Sequence, residues 1–406
     1  MRHTPKLVLG TVLALLWTGS AAAAFIRVDQ TGGGDALTLA AGMALAAPSD
    51  TVAVRHGLHN TGPVELVDDV KLLGGWNSAF TSRTPGASLL NATGDQALRC
   101  TSGQGLGTII DGFEITGASN SAVLCRSSSP TITNNEFHGN DAIDGGAIHC
   151  ESGASPLIES NHIHHNSANH GGGIRGHLGS GTSPTIRNNL VEFNTGFFSG
   201  GGISVNNGSP LIEHNTVRFN SADGTESATG GGISVWHAGG GVATIRFNLI
   251  IHNTASEGGG VGITGGHPII ENNTIWGNTA PEGGAVYQEE STIPDPGTTI
   301  VSNNILGGSL DGHGVYCVDD LSMSLSCNCL FANAGGTYFG CAPGGTDIHV
   351  DPQFCDKPGD NYFLYSSSPC VPPGSGACGL IGAFDVGCGA VSIQAQTWAD
   401  IKARYR

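Results

Sequence analysis

The sequence predicts an all-β solenoid, built by repeating one short structural sentence between Ser129 and Asn304. Three observations carry that expectation. The segments SPTITNNEFHGN, SPLIEHNTVRFN and HPIIENNTIWGN are variants of one another, each followed by a Gly-Gly turn. They recur about every 27 residues, a stacking period and not the spacing of an irregular core. Gly fills 65 of the 406 positions, about double its ordinary share, which in a strand-patterned chain means many turns that need positive φ.

Residues 1–24 have the form of an export signal. Arg2 and Lys6 precede an apolar run from Leu7 to Trp17, and Ala22, Ala23 and Ala24 make a small-residue cleavage site. The run is too short to span a bilayer, and no later segment is apolar enough to do so. No Cys follows it, so no lipid anchor is expected. Loss of Arg2 and Lys6 leaves 14 basic against 33 acidic residues, a net charge of −19. That balance argues against nucleic acid and against anionic polysaccharide as default ligands.

Residues 25–97 are expected to hold an N-terminal cap and the first rungs. Phe25–Val28, Thr51–Val54 and Val70–Leu73 alternate as strands. Asp35 is placed to cap a short helix carrying Leu37, Leu39, Met43 and Ala47, which covers the open end of the coil.

From residue 98 to 316 the register can be written out. Leu98, Val123, Ile148, Ile174, Ile203, Ile233, Val261, Val286 and Val315 each follow a small-residue turn. Two residues on lies a second column that starts with Cys100, Cys125 and Cys150. Strand side chains alternate, so both columns share the interior face. The three Cys are therefore expected to stack as a buried, reduced ladder. Two Asn columns, Asn135 to Asn304 and Asn140 to Asn278, are expected at the corners. There Asn tolerates the left-handed conformation and pairs amide to amide with the next rung.

Three strands and three turns per unit give a coil of triangular section. With units such as Asn215–Asn220 followed by Gly230–Ile233, residues 26 to about 310 resemble the right-handed parallel β-helix superfamily that includes pectate lyases. The GGAI at Gly145–Ile148 and the FxxN at Phe137–Asn140 are also similar to polymorphic outer-membrane protein repeats. The resemblance implies a right-handed parallel β-helix of about ten rungs. Asp351–Cys355, Ser368–Cys370 and Ile381–Ala383 resemble the closing segment of exported bacterial β-helix proteins. In residues 317–390 the exported context and the count make Cys317, Cys327, Cys329, Cys341, Cys355, Cys370, Cys378 and Cys388 disulfide candidates, forming a stapled C-terminal cap. Eight Cys leave 105 pairings open. Residues 391–406 are a tail whose Trp398, Ile401 and Tyr405 share one helical face.

Chemistry is expected on the outward residues that flank the second core column. His149 and Glu151 suit proton transfer, Arg175 suits a uronate, and His177 lies beside them. Asn206, Trp236, Tyr287 and Glu289 continue the stripe as carbohydrate-binding candidates. Loops Leu178–Thr182, Ala238–Gly241 and Glu290–Thr298 are placed to wall a groove. The arginine motif and calcium-binding Asp set of pectate lyases are missing, as is the Asp pattern of polygalacturonases. His138, His162 and His164 cluster, but read as surface histidines, so neither a metal nor a cofactor is expected. The sequence thus points to an exported, monomeric scaffold that binds polysaccharide or a cell-surface glycan. The alternative is a polysaccharide lyase or glycoside hydrolase working around Glu151 and Arg175.

Overall fold

The computed structural model describes residues 22–177, 181–222, 224, 227–236, 241–289, 297–318 and 323–388. The export signal up to residue 21, most of the three groove loops and the C-terminal tail lie outside the described residues. Among the described residues no helix is long and apolar enough to cross a membrane.

Among the described residues, successive strands wind through three faces of 12, 11 and 11 strands, in keeping with the expected rung number of about ten. Neighbouring rungs pair in parallel, as Ile132 with Ile158 on the first face, Phe137 with Ile163 on the second and Ile148 with Ile174 on the third. Those six side chains are fully buried. Each contributes about 1.5–3 kcal/mol relative to exposure, which is why the period is kept so strictly. The predicted third-face register is observed, from Leu98 beside Val123 to Val286 beside Val315. Cys125 is register partner to Cys100 and Cys150, and all three are buried and unbridged.

The Asn columns form ladders. Asn215 Nδ2 donates to Asn248 Oδ1 at 3.0 Å and to the Ile186 carbonyl at 2.8 Å, and its backbone N–H donates to the same Asn248 oxygen at 2.9 Å. One ladder runs on to Asn328, whose amide and N–H donate to Asp347 Oδ1 at 3.1 and 2.8 Å. The left-handed conformation, however, belongs to the residue before each ladder Asn, not to the Asn itself. Asn134, Ser160, Asn188, His214, Phe247, Asn272 and Asn303 all have φ between 52° and 57°. The ladder side chain must point inward to pair, and the turn is made one residue earlier.

The N-terminal helix spans Leu39–Leu45 and buries Leu39 and Met43. Its cap is Thr38, whose hydroxyl accepts from Ala41 N, and not Asp35. Asp35 is taken by Arg27, which donates to it from Nε at 3.0 Å and Nη2 at 2.9 Å. Leu37 and Ala47 lie outside the helix, and Leu37 is exposed.

The C-terminal region carries three disulfides, Cys317–Cys341, Cys327–Cys378 and Cys355–Cys388. Cys329 and Cys370 are buried as free thiols hydrogen-bonded to each other. This region also runs back along the outside of the second face. Phe354, Tyr362, Leu364 and Ile381 pack with Leu249, Trp276 and Ile305 there. The Asn272 amide donates to the Leu380 carbonyl at 3.0 Å, and Arg218 pairs with Asp360 at 3.1 Å.

Candidate functional site

The sequence pattern of three strands per rung omits a fourth. Asp141–Asp144, Ser167–His170, Thr195–Ser199, Ser221–Ala222 and Thr254–Ala255 form a short sheet at the turn between the second and third faces. Its final residues make one line along the coil: Asp144, His170, Ser199, Thr229, Glu257 and Glu282 are successive register partners. Each immediately precedes the left-handed Gly of the Gly-Gly turn. That Gly is obligatory. At Gly145, with φ of 58°, a Cβ would lie 2.3 Å from the Ile148 carbonyl oxygen. The tight reversal folds the line down against the outward side chains of the third face.

The expected open stripe is therefore partly covered. Arg175 is 4% exposed and Glu151 7% exposed. His149 and Arg175 are register partners on adjacent strands, as are Glu151 and His177, so the structure does bring the four predicted catalytic candidates together. Arg126 Nε holds Glu151 Oε1, while Glu151 Oε2 lies 4.0 Å from His149 Nε2. Asp144 reaches the group from the fourth sheet, with Oδ1 3.6 Å from Arg175 Nε. Arg175 also donates to Ser204 Oγ. Four buried atoms at this point meet no hydrogen-bond partner: Asp144 Oδ1, His149 Nε2, Arg175 Nε and His177 Nδ1. Burial pushes the His149 imidazole below its usual range, and burial with the Arg175 charge pushes His177 down to about 4. Burial lowers Arg175 to about 10.

Farther along the same seam the chemistry changes. Ser199 faces Ser204 at 3.3 Å and Thr229 faces Ser234 at 3.4 Å. Then come Glu257 and Glu282 beside Tyr287. Burial, with Glu289 and Glu282 nearby, raises the Glu257 carboxyl to about 7. Burial and the Glu289 charge raise the Tyr287 hydroxyl above its usual range, and that hydroxyl lies 3.4 Å from Glu289 Oε2.

Of the carbohydrate-binding candidates, Asn206 and Trp236 are neighbours in register, and Glu289 accepts from Thr264 Oγ1 at 2.8 Å. Tyr287 is 2% exposed and stacks on Tyr316 at 5.7 Å, so it presents no open ring face to a sugar. Asn206 is likewise buried, at 5%. The third face opens at its N-terminal end instead. A depression of about 300 Å³ there is lined by Glu65, Gln96, Arg99, Thr101, Asn120 and Arg126 over Leu124. Sequence reasoning placed Arg99, Thr101, Leu124 and Arg126 on the stripe without marking them as a site. The residue before each Gly-Gly turn was the signal for the covering line, but its identity varies from Asp to His, Ser, Thr and Glu.

The histidines on the second face are engaged with carboxylates. His138, His164 and His162 each pair with a carboxylate, Glu114 at 2.8 Å, Glu136 at 3.1 Å and Glu192 at 2.9 Å.

Residues 86–250 match the family model of the right handed beta helix region, and residues 243–375 match that of disaggregatase related proteins. Among solved structures, the A-module of mannuronan C-5 epimerase AlgE6 from Azotobacter vinelandii is similar at a TM-score of 0.43 and 15% identity. That similarity covers 75% of this chain and 91% of the other. Pectate lyase Pel9A gives 0.45 at 12% identity over 90% of this chain and 97% of its own. The PL6 family alginate lyase AlyGC gives 0.40 at 14% over 93% and 59%. No curated protein matches. Rung pairing, core columns and the matched family model agree on one architecture: the chain is a right-handed parallel β-helix.

Proposed function

We infer that the chain is an exported rod whose third face binds a polar saccharide at the depression beside Arg99 and Arg126. The observation that carries this is the convergence of hydrogen-bonding groups there. Arg126 is 56% exposed at its side chain and holds Glu151 through Nε, which leaves its outer N–H groups for a ligand. Arg99 is oriented by Gln96 Oε1 at 2.7 Å. Glu65 accepts from Thr101 N at 2.7 Å and Thr101 Oγ1 at 2.9 Å and so holds the rim. A volume of about 300 Å³ sits at the small end of ligand sites, which suits one or two sugar units. Export is supported by the three disulfides, which persist in oxidising compartments, and by the form of residues 1–24.

The test is a glycan array, with neutral and uronate sugars, probed with the chain from Phe25 onward. Binding to at least one glycan, weakened about tenfold or more by Arg126→Ala, is expected. No binding, or binding indifferent to both Arg99→Ala and Arg126→Ala, overturns the proposal. One observation favours the second reading, catalysis: Glu151 Oε2, His149 and Arg175 form a buried group with unspent polar atoms. Turnover of any glycan that disappears in Glu151→Gln would establish it.

A further inference from the structure

The unpartnered atoms at the charged end of the seam call for an explanation of their own. A buried polar atom without a hydrogen-bond partner destabilises the fold, and four of them meet within one cluster. Two similar groups of imidazoles and carboxylates exist among the described residues, and they differ in one respect. In Glu136, His162 and His164 the ring nitrogens are engaged, His164 with Glu136 at 3.1 Å and His162 with Glu192 at 2.9 Å. In Asp144, His149 and His177, one donor atom from each residue lies within 4.8 Å of the others, and Asp144 Oδ1, His149 Nε2 and His177 Nδ1 are all unspent.

We propose that Asp144, His149 and His177 form a binding site for a first-row divalent transition metal, with zinc as the fitting ion. Two imidazoles and a carboxylate are the donor types such ions take. Metal–donor bonds near 2.0–2.1 Å put tetrahedral donors about 3.3 Å apart, so the three side chains close by at most about 1.5 Å onto the ion. His149 and His177 already face each other with ring centroids 6.4 Å apart and planes inclined by 26°.

Glu151 stands beside the group, with its Oε2 4.0 Å from His149 Nε2 and its other oxygen held by Arg126. The charges then balance, since two carboxylates offset the ion, while Arg175 and Arg126 stay as outer partners that orient Asp144 and Glu151. All the donors sit on rigid strands. His149 and His177 come from paired third-face strands, and Asp144 from the fourth sheet. This group adjoins the saccharide depression, with which it shares Arg126, but Asp144 and His177 do not line that depression, so their variants test the metal site alone.

The experiment is calorimetric titration of Zn²⁺ into untagged, chelator-dialysed protein, with Co²⁺ absorption as a second reading of the donor set. One ion per chain is expected, together with a higher unfolding temperature when loaded. His149→Ala and His177→Ala each weaken binding at least about 30-fold, on the scale of losing a direct ligand. Asp144→Asn, which keeps the shape of the side chain, abolishes the zinc-induced rise in unfolding temperature even where the histidine variants fold poorly. His162→Ala leaves binding unchanged. No stoichiometric binding to the wild type, binding that survives Asp144→Asn and His177→Ala together, or loss of binding in His162→Ala overturns the proposal.

Discussion

Asn248 inside the coil and His149 beneath the seam on its outer side are both largely covered polar side chains, and they are treated in opposite ways. The Asn248 amide donates to Ile212 O at 2.8 Å, Arg246 O at 2.9 Å and Asn273 Oδ1 at 3.0 Å, and its oxygen accepts twice from Asn215. His149 Nε2 makes no hydrogen bond, and neither do Asp144 Oδ1, Arg175 Nε and His177 Nδ1 beside it, although Asp144 Oδ1 lies 3.6 Å from Arg175 Nε. In the ladders the side-chain hydrogen-bonding capacity is spent on the neighbouring rungs and on the carbonyl two residues back, so the residue cannot vary. At the charged end of the fourth-sheet seam capacities are left open, and along the seam the residues change from rung to rung. Satisfied polar layers specify a fold. Unsatisfied ones persist where something other than stability maintains them.

The ladder side of that comparison predicts the largest effect. Asn248→Leu strands the Asn215 backbone N–H and the Ile212 carbonyl, and should cost about 2–6 kcal/mol at 1–3 kcal/mol per group. Chemical denaturation measures it, and a loss below about 1 kcal/mol would break the comparison at its stronger end. Next comes the staple on the second face. Removing Cys327–Cys378, which closes a loop of 51 residues, should cost about 3–4 kcal/mol. Cys100, Cys125 and Cys150 should stay unreactive toward a thiol reagent in the folded variant, because they lie in the coil interior and not in the stapled segment.

The seam predicts a smaller effect of opposite sign. The Glu257 carboxyl is raised to about 7 from an unfolded value of 4.5, so the folded state holds its proton more tightly. Its stabilising contribution is complete below pH 4.5 and is lost as pH rises through 7. Glu257→Gln should therefore stabilise the protein by about 1 kcal/mol at pH 8, the shift being discounted for a half-solvated site, and should change nothing at pH 4.5. Equal effects at both values would remove the like-charge explanation. The smallest change is expected at Arg126→Ala, under about 1 kcal/mol in stability for a half-exposed ion pair, with the effect appearing in saccharide binding instead.

How much of this was legible in the sequence follows from the same contrast. The third-face columns from Leu98 to Val315 and both Asn ladders could be written down in advance, because burial and amide stacking demand one residue type at one period. Asp35 misled because its side chain had a competing partner, Arg27, that only the fold brings near. The fourth sheet was invisible because its exposed line carries Asp, His, Ser, Thr and Glu, with no chemical periodicity to detect. Tyr287 illustrates the cost. It sits on an outward position, as the alternation requires, yet it is 2% exposed, with Glu257 beside it and Tyr316 stacked on its ring. His149, Glu151, Arg175 and His177 were found together because register alone places them, but their burial depends on that unseen layer.

Thermal unfolding of Asn248→Leu beside His149→Leu tests the central claim most directly. If the seam is held for binding and not for stability, removing the unpartnered His149 imidazole leaves the metal-free protein unchanged or slightly more stable, while Asn248→Leu unfolds many degrees lower. A His149→Leu variant as damaged as Asn248→Leu would contradict the account, and the two buried layers would then serve the same structural end.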